Sequence, residues 1–134
     1  MIKFNELQQG CYVMAQYEER TVQGEVTELK RDQKLACIND GVQDFWFDAD
    51  HLQPIPITHN ELLKLNFTFQ LNDDGTVKYS KGAFRIQLQA ANQFTNYEIW
   101  YREDKRKIHQ LIHIHELQNL YNDMTKVYLT SEAF

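Results

Sequence analysis

The chain has two prolines, Pro54 and Pro56, and a single residue, Ile55, separates them. Prolines so spaced fix φ twice and remove two backbone donors. The segment is held extended, and neither a helix nor a central strand can run through it. The sequence therefore reads as two lobes joined at this seam, one over residues 1–57 and one over 58–134. A length of 134 residues suits one domain or two small lobes. The 43% hydrophobic content is enough to bury a core and argues against disorder.

Short strands fill the first lobe. Arg20–Leu29 places Val22, Gly24 and Val26 on one side and Thr21, Gln23, Glu25 and Thr27 on the other. That period of two marks a half-buried strand. Cys11–Gln16, Lys34–Ile38 and Gln43–Phe47 read as further strands, and Asn39-Asp40-Gly41 as a tight turn between the last two. Strands this short, with turns between them, predict a small SH3-like β-barrel or a curled sheet, with an open meander lying against the second lobe as the alternative.

The second lobe opens on a helix. Thr58 is placed to cap it, Glu61 completes a capping box, and Ile57 with Leu62 makes the matching hydrophobic staple. Phe67, Phe69 and Leu71 then alternate with polar residues, as do Val77 and Tyr79, then Phe84, Ile86 and Leu88, then Tyr97, Ile99 and Tyr101. These runs predict an antiparallel meander with one wet face, turned at Asp73-Asp74-Gly75, Lys81-Gly82 and Arg102–Lys105. From Ile114 the period changes. Ile114, Leu117, Leu120, Tyr121 and Met124 recur at helical spacing, with His115, Glu116, Gln118, Asn119, Asn122 and Asp123 on the polar side. Lys107–Ile112 fits either a last strand or the first turns of this helix, and Val127–Leu129 fits an edge strand. The predicted fold class is α+β, with two helices in the second lobe.

No stretch approaches the ~20 apolar residues that cross a bilayer, and the N-terminal residues lack the apolar run of a secretory signal. The expectation is a cytoplasmic protein without a membrane partner. Cys11 and Cys37 form no CxxC and are expected to be buried free thiols. Residues 1–57 carry five basic against ten acidic side chains, whereas 58–134 carry nine of each. An acidic half repels phosphate backbones, so nucleic acid is disfavoured as a partner unless a local basic patch overrides the net charge.

Three groups of residues invite a functional reading. Asp44-Phe45-Trp46-Phe47-Asp48 sets Phe45 and Phe47 on one face of a strand and Trp46 between acids on the other. Such a strand can hold a cation by cation–π attraction or anchor a protein partner; the simpler reading is that Phe45 and Phe47 fill the lobe's core and Trp46 packs on the second lobe or the proline seam. Arg102, Lys105, Arg106 and Lys107, close to Tyr97, Trp100 and Tyr101, combine charge with stacking surface for nucleic acid. A charged hairpin turn, or the guarding of a sheet edge by lysines, explains the run as well. His109, His113 and Glu116 share one face only if residues 107–124 form one helix, and only then do they suit zinc or iron. There is no HExxH, GxSxG, GxGxxG or GxxxxGK[ST] motif. No catalytic residue, metal site or cofactor is predicted. The leading expectation is a non-catalytic module that binds protein, itself or another, through Phe45, Trp46 and Phe47. The alternatives are a nucleic-acid-associated accessory protein and, third, a metal-dependent enzyme.

Two segments carry a family resemblance. Leu52-Gln53-Pro54-Ile55-Pro56-Ile57-Thr58, followed by a short helix and Phe67, resembles an L-x-P-I-P-L-T junction. His115-Glu116-Leu117-Gln118-Asn119-Leu120-Tyr121 resembles a V-H-Q-L-Q-N-L-Y helix. Both belong to a small-protein family of Bacteroidota and of their phages and prophages. The resemblance covers about the last two-thirds of the chain and the strand pattern before it, and it assigns no chemistry. It implies a phage-related setting, with a role as an accessory protein acting on host factors or as a minor part of an assembly. After Tyr121 the chain departs from the pattern. Asn122–Lys126 lacks the apolar pair and the Thr-Gly, so its last part is expected to pack differently.

Overall fold

A computed structural model describes residues 2–110 and 112–131. It is mostly β, with two antiparallel sheets and two α-helices among the described residues. The chain divides into two compact units. One comprises residues up to Pro56 together with His113–Gln118; the other comprises Ile57–Ile112 and the residues from Asn119 onward.

The first unit is built on β1 (Tyr12–Tyr17), β2 (Arg20–Lys30), β3 (Leu35–Asn39), β4 (Asp44–Asp48) and β5 (Leu52–Gln53). They form one antiparallel sheet in the order β4-β3-β2-β1-β5. A 3-10 turn at Phe4–Glu6 precedes β1, and a second at Ala49–His51 leads from β4 into β5. The sheet does not close into a barrel: β4 and β5 are its two edges. Its curl has two causes in β2. The register with β3 shifts between Val26 and Glu28, a bulge that bends the strand. At Gly24 the sheet approaches itself so closely that a Cβ would press into the Ile38 side chain and lie 2.7 Å from the Asn39 carbonyl oxygen. Val13, Ala15, Val26, Ile38, Phe47 and Leu52 are buried, as are Cys11 and Cys37, which are free thiols.

The second unit carries α1 (His59–Lys64), then β6 (Thr68–Leu71), β7 (Val77–Lys81), β8 (Phe84–Leu88), β9 (Tyr97–Tyr101) and β10 (Asp104–Ile108). The strands form an antiparallel meander in the order β10-β9-β8-β7-β6. The Thr58 hydroxyl accepts the N–H of Glu61 at 3.2 Å and so starts α1. Val77, Tyr79, Phe84, Ile86, Leu88, Tyr97 and Ile99 are all buried, which makes one face of the sheet dry. Within this unit Tyr121 lies against Phe84, with ring centroids 4.7 Å apart.

Helix α2 (Ile114–Thr125) begins later than a continuous helix over 107–124 requires. Lys107 and Ile108 belong to β10, and Leu111 lies outside the described residues. Val127–Leu129 forms no strand. Two residues on the polar side of α2 are corrected by the structure. His115 is 2% exposed and Gln118 is fully buried. The reason is local pairing in the first unit. Gln118 accepts the N–H of Tyr12 at 2.9 Å and donates to the Gly10 carbonyl at 3.0 Å, while His115 Nε2 lies 3.5 Å from Glu6. Partners of this kind let polar side chains go inside, which periodicity alone does not register. No helix among the described residues is long and apolar enough to cross a membrane.

Candidate functional site

Strand β4 is an edge, so alternate backbone N–H and C=O groups along it face away from β3. The pleat separates its three aromatic residues. Phe47 is 7% exposed and belongs to the core. Phe45 is half-buried, and Tyr17 stacks on it with centroids 5.5 Å apart. Tyr17 is itself 46% exposed and also meets Phe47 edge-on at 6.5 Å. Trp46 points to the opposite side, 41% exposed, with the Lys30 ammonium 4.5 Å from its ring centroid. Lys30 and Trp46 thus hold each other by cation–π attraction. Carboxylates flank the strand at both ends. Asp44 accepts from the Asn39 amide at 2.8 Å. Asp48 accepts from the His51 ring at 2.8 Å, and this hydrogen bond, above other causes, holds the carboxyl below its ordinary range.

The basic run of the second unit is also divided by its strand. Tyr97 faces the dry side and is 2% exposed. Arg106 alternates with its lysine neighbours and pairs with Asp123 at 2.9 Å, lowering that carboxyl's pKa. Arg102, in the turn, lies over Tyr101 at 5.3 Å. Trp100, Lys105 and Lys107 remain on the open face, where two residues from other strands join them. Register pairs Arg85 with Trp100 and Trp100 with Lys105, and in the next row Lys78 with Gln87, Gln87 with Glu98, and Glu98 with Lys107. The Arg85 guanidinium and the Lys105 ammonium sit 5.6 Å and 5.1 Å from the Trp100 ring centroid. Arg85 also donates to the Arg102 carbonyl at 3.0 Å. The indole N–H of Trp100 is buried and meets no hydrogen-bond partner among the described residues. Beside this row lies a cleft of about 330 Å³ lined by Gln87, Gln89, Asn96, Glu98, Lys107 and His109. His109 Nδ1 is 3.2 Å from the Asn96 side-chain oxygen. Linear spacing around residues 97–107 gives no sign of Lys78 and Arg85; the alternation of β7 and β8, taken with their register, is the signal that finds them.

The histidines do not gather as a metal site needs. His109 follows β10 and is exposed. Glu116 accepts both the backbone N–H of His113, at 3.0 Å, and its ring Nδ1 contact, at 2.7 Å, and so caps the start of α2. Among the described residues no group of three or more His, Cys, Asp and Glu side chains is disposed to hold a metal ion. Comparison of the chain with family models, curated proteins and solved structures returns no match.

Proposed function

We propose that the protein is a non-catalytic, cytoplasmic interaction module whose first unit takes up an extended segment of another protein along edge β4. The observation that carries this reading is Trp46, a large apolar side chain 41% exposed on a strand that has one unpaired side among the described residues. An added strand satisfies the outward backbone groups, and alternate side chains provide selectivity. Trp46 and the Tyr17–Phe45 pair are the apolar anchors, since exposed aromatic residues contribute most at such contacts. The flanking Asp44 and Asp48 favour a segment rich in Lys or Arg. The strand order β4-β3-β2-β1-β5, with a 3-10 turn between β4 and β5, supports an SH3-like reading of this unit. The resemblance to small proteins of Bacteroidota and their phages supports an accessory or assembly role for the complex.

The test is capture of partners from host lysate at near-physiological salt, with nuclease present, by wild type and by Trp46→Ala. The variant is expected to unfold at the same denaturant concentration as wild type and to lose the stoichiometric protein partner. A variant that retains the partner, or that no longer folds, removes Trp46 from the binding surface.

A further inference from the structure

The open face of the second sheet is chemically unlike the rest of the chain. The strand register places ten side chains on it: Thr68 and Gln70, Lys78 and Ser80, Arg85 and Gln87, Glu98 and Trp100, and Lys105 and Lys107. Four are cations, one is a carboxylate, Glu98, which pairs with the Lys105 ammonium at 3.4 Å, and one is aromatic, in a chain whose net charge is −5. Asp104, the first residue of β10, does not cancel this: it lies off the open face and is engaged by Arg106, 3.5 Å away. A face that collects cations against the charge of the whole molecule is complementary to an anion. Its single aromatic residue lies in the middle of them.

We propose that this face binds single-stranded nucleic acid. The phosphates follow Lys78, Arg85, Lys105 and Lys107, and one nucleotide enters the cleft between Glu98, Lys107 and His109. Arg85 lies over Trp100 and is tied to the Arg102 carbonyl. Its planar guanidinium is therefore already oriented for a base to stack on it, a surface that serves as well as an aromatic ring. The Glu98 carboxylate and the Gln87, Gln89 and Asn96 amides present acceptors and donors to a base edge in the cleft. Its volume of about 330 Å³ is at the lower end for a small-ligand site, which suits one nucleotide rather than a larger group. Stacking and edge contacts both require unpaired bases, so the occupant is a single strand and not a duplex. This inference concerns the second unit and does not depend on the β4 reading.

The test is fluorescence anisotropy of a labelled oligothymidine of about 20 nucleotides at about 50 mM salt, with a duplex of equal length in parallel. Four cations on phosphates predict a log–log salt slope of about −3 for a single strand. Raising the salt to about 200 mM should then weaken binding roughly fiftyfold. The double change Lys78→Gln with Lys107→Gln should make that slope shallower by about 1.4. Arg85→Ala should weaken binding by about 5- to 150-fold, the range for loss of one stacked base. Trp100→Ala should act in the same direction; because Trp100 is partly buried, its folding is checked first, and the lysine pair tests the same surface without that complication. No binding at about 50 mM salt, tighter binding of the duplex, or a lysine double variant with an unchanged slope would each overturn the proposal.

Discussion

Gln118 uses both ends of its amide on backbone groups of the first unit, accepting from Tyr12 and donating to Gly10. Replacing it with leucine preserves volume and removes both partners, so two part-buried backbone groups lose a hydrogen bond. Gln118→Leu should cost about 3 kcal/mol of stability by urea unfolding, at about 1–3 kcal/mol for each orphaned group. A change under about 0.5 kcal/mol would mean that water or a side-chain shift replaces the amide. Gly24 makes the opposite demand, for emptiness. Its missing Cβ leaves room for Ile38 and the Asn39 carbonyl, so Gly24→Ala should destabilise by about 2–3 kcal/mol as overpacking, measured the same way. His115 links the fold to pH. Burial lowers its pKa below the ordinary 6.5, opposed by the charges of Glu116 and Glu6 and aided by that of His113. The folded state therefore resists protonation that the unfolded chain accepts. His115's contribution to stability is fully present above pH 6.5 and declines as pH falls below it. His115→Leu should flatten the loss of stability on acidification from neutrality; an unchanged profile would assign that loss to other groups.

Single sheet edges explain why some elements were legible in the sequence and others were not. The capping box at Thr58 and the alternation in β2, β7 and β8 are local signals, and local signals predict local structure. Strand β10 was misplaced by its start: the turn read over Arg102–Lys105 takes only two residues, Arg102 with φ of 56° and Glu103, so the strand already runs from Asp104 to Ile108. Glycine or asparagine normally fixes the length of such a turn, and arginine leaves it open. Of the two readings open for the charged run, nucleic-acid contact and edge protection, its place on the outer strand fits Asp104, Lys105, Arg106 and Lys107 as guards of an edge. The same device appears elsewhere. Asp44 and Asp48 bracket β4, and β5 has only two residues. Strand β6 has no such protection: it carries no charge, and Phe69 and Leu71 are 41% and 64% exposed. Two copies paired antiparallel about Gln70 would set each Phe69 opposite Leu71 of the other. The expected outcome is concentration-dependent self-association by light scattering, suppressed by Leu71→Lys, which should leave the unfolding midpoint nearly unchanged because the site is exposed. A wild type that stays monomeric at millimolar concentration would show that edge to be blocked by other means.

Across the whole molecule, chain order and compact units do not coincide. The first unit draws on two stretches of sequence, and the second of them, His113–Gln118, lies more than fifty residues beyond the Pro54-Ile55-Pro56 seam. The prolines act on the backbone where they stand, whereas the return of a distant segment depends on pairings that no local pattern encodes. Ile114 N–H donates to the Ile55 carbonyl at 2.8 Å, and His113 makes a β-bridge with Pro56. With the Gln118 amide and the buried Ile114 and Leu117, these contacts supply the first unit with backbone partners and core that its strands lack. The aromatic residues of β4 sit on that same sheet, so its integrity bears on the proposed partner contact. A fragment of residues 1–57 should therefore fail to fold cooperatively, because small domains are marginal even when their cores are complete. Its amide spectrum should be poorly dispersed, and its urea transition should be broad or missing. A dispersed spectrum with a sharp transition would make the five-stranded sheet self-sufficient, and the Gln118 hydrogen bonds would then count as reinforcement and not as part of the folding unit.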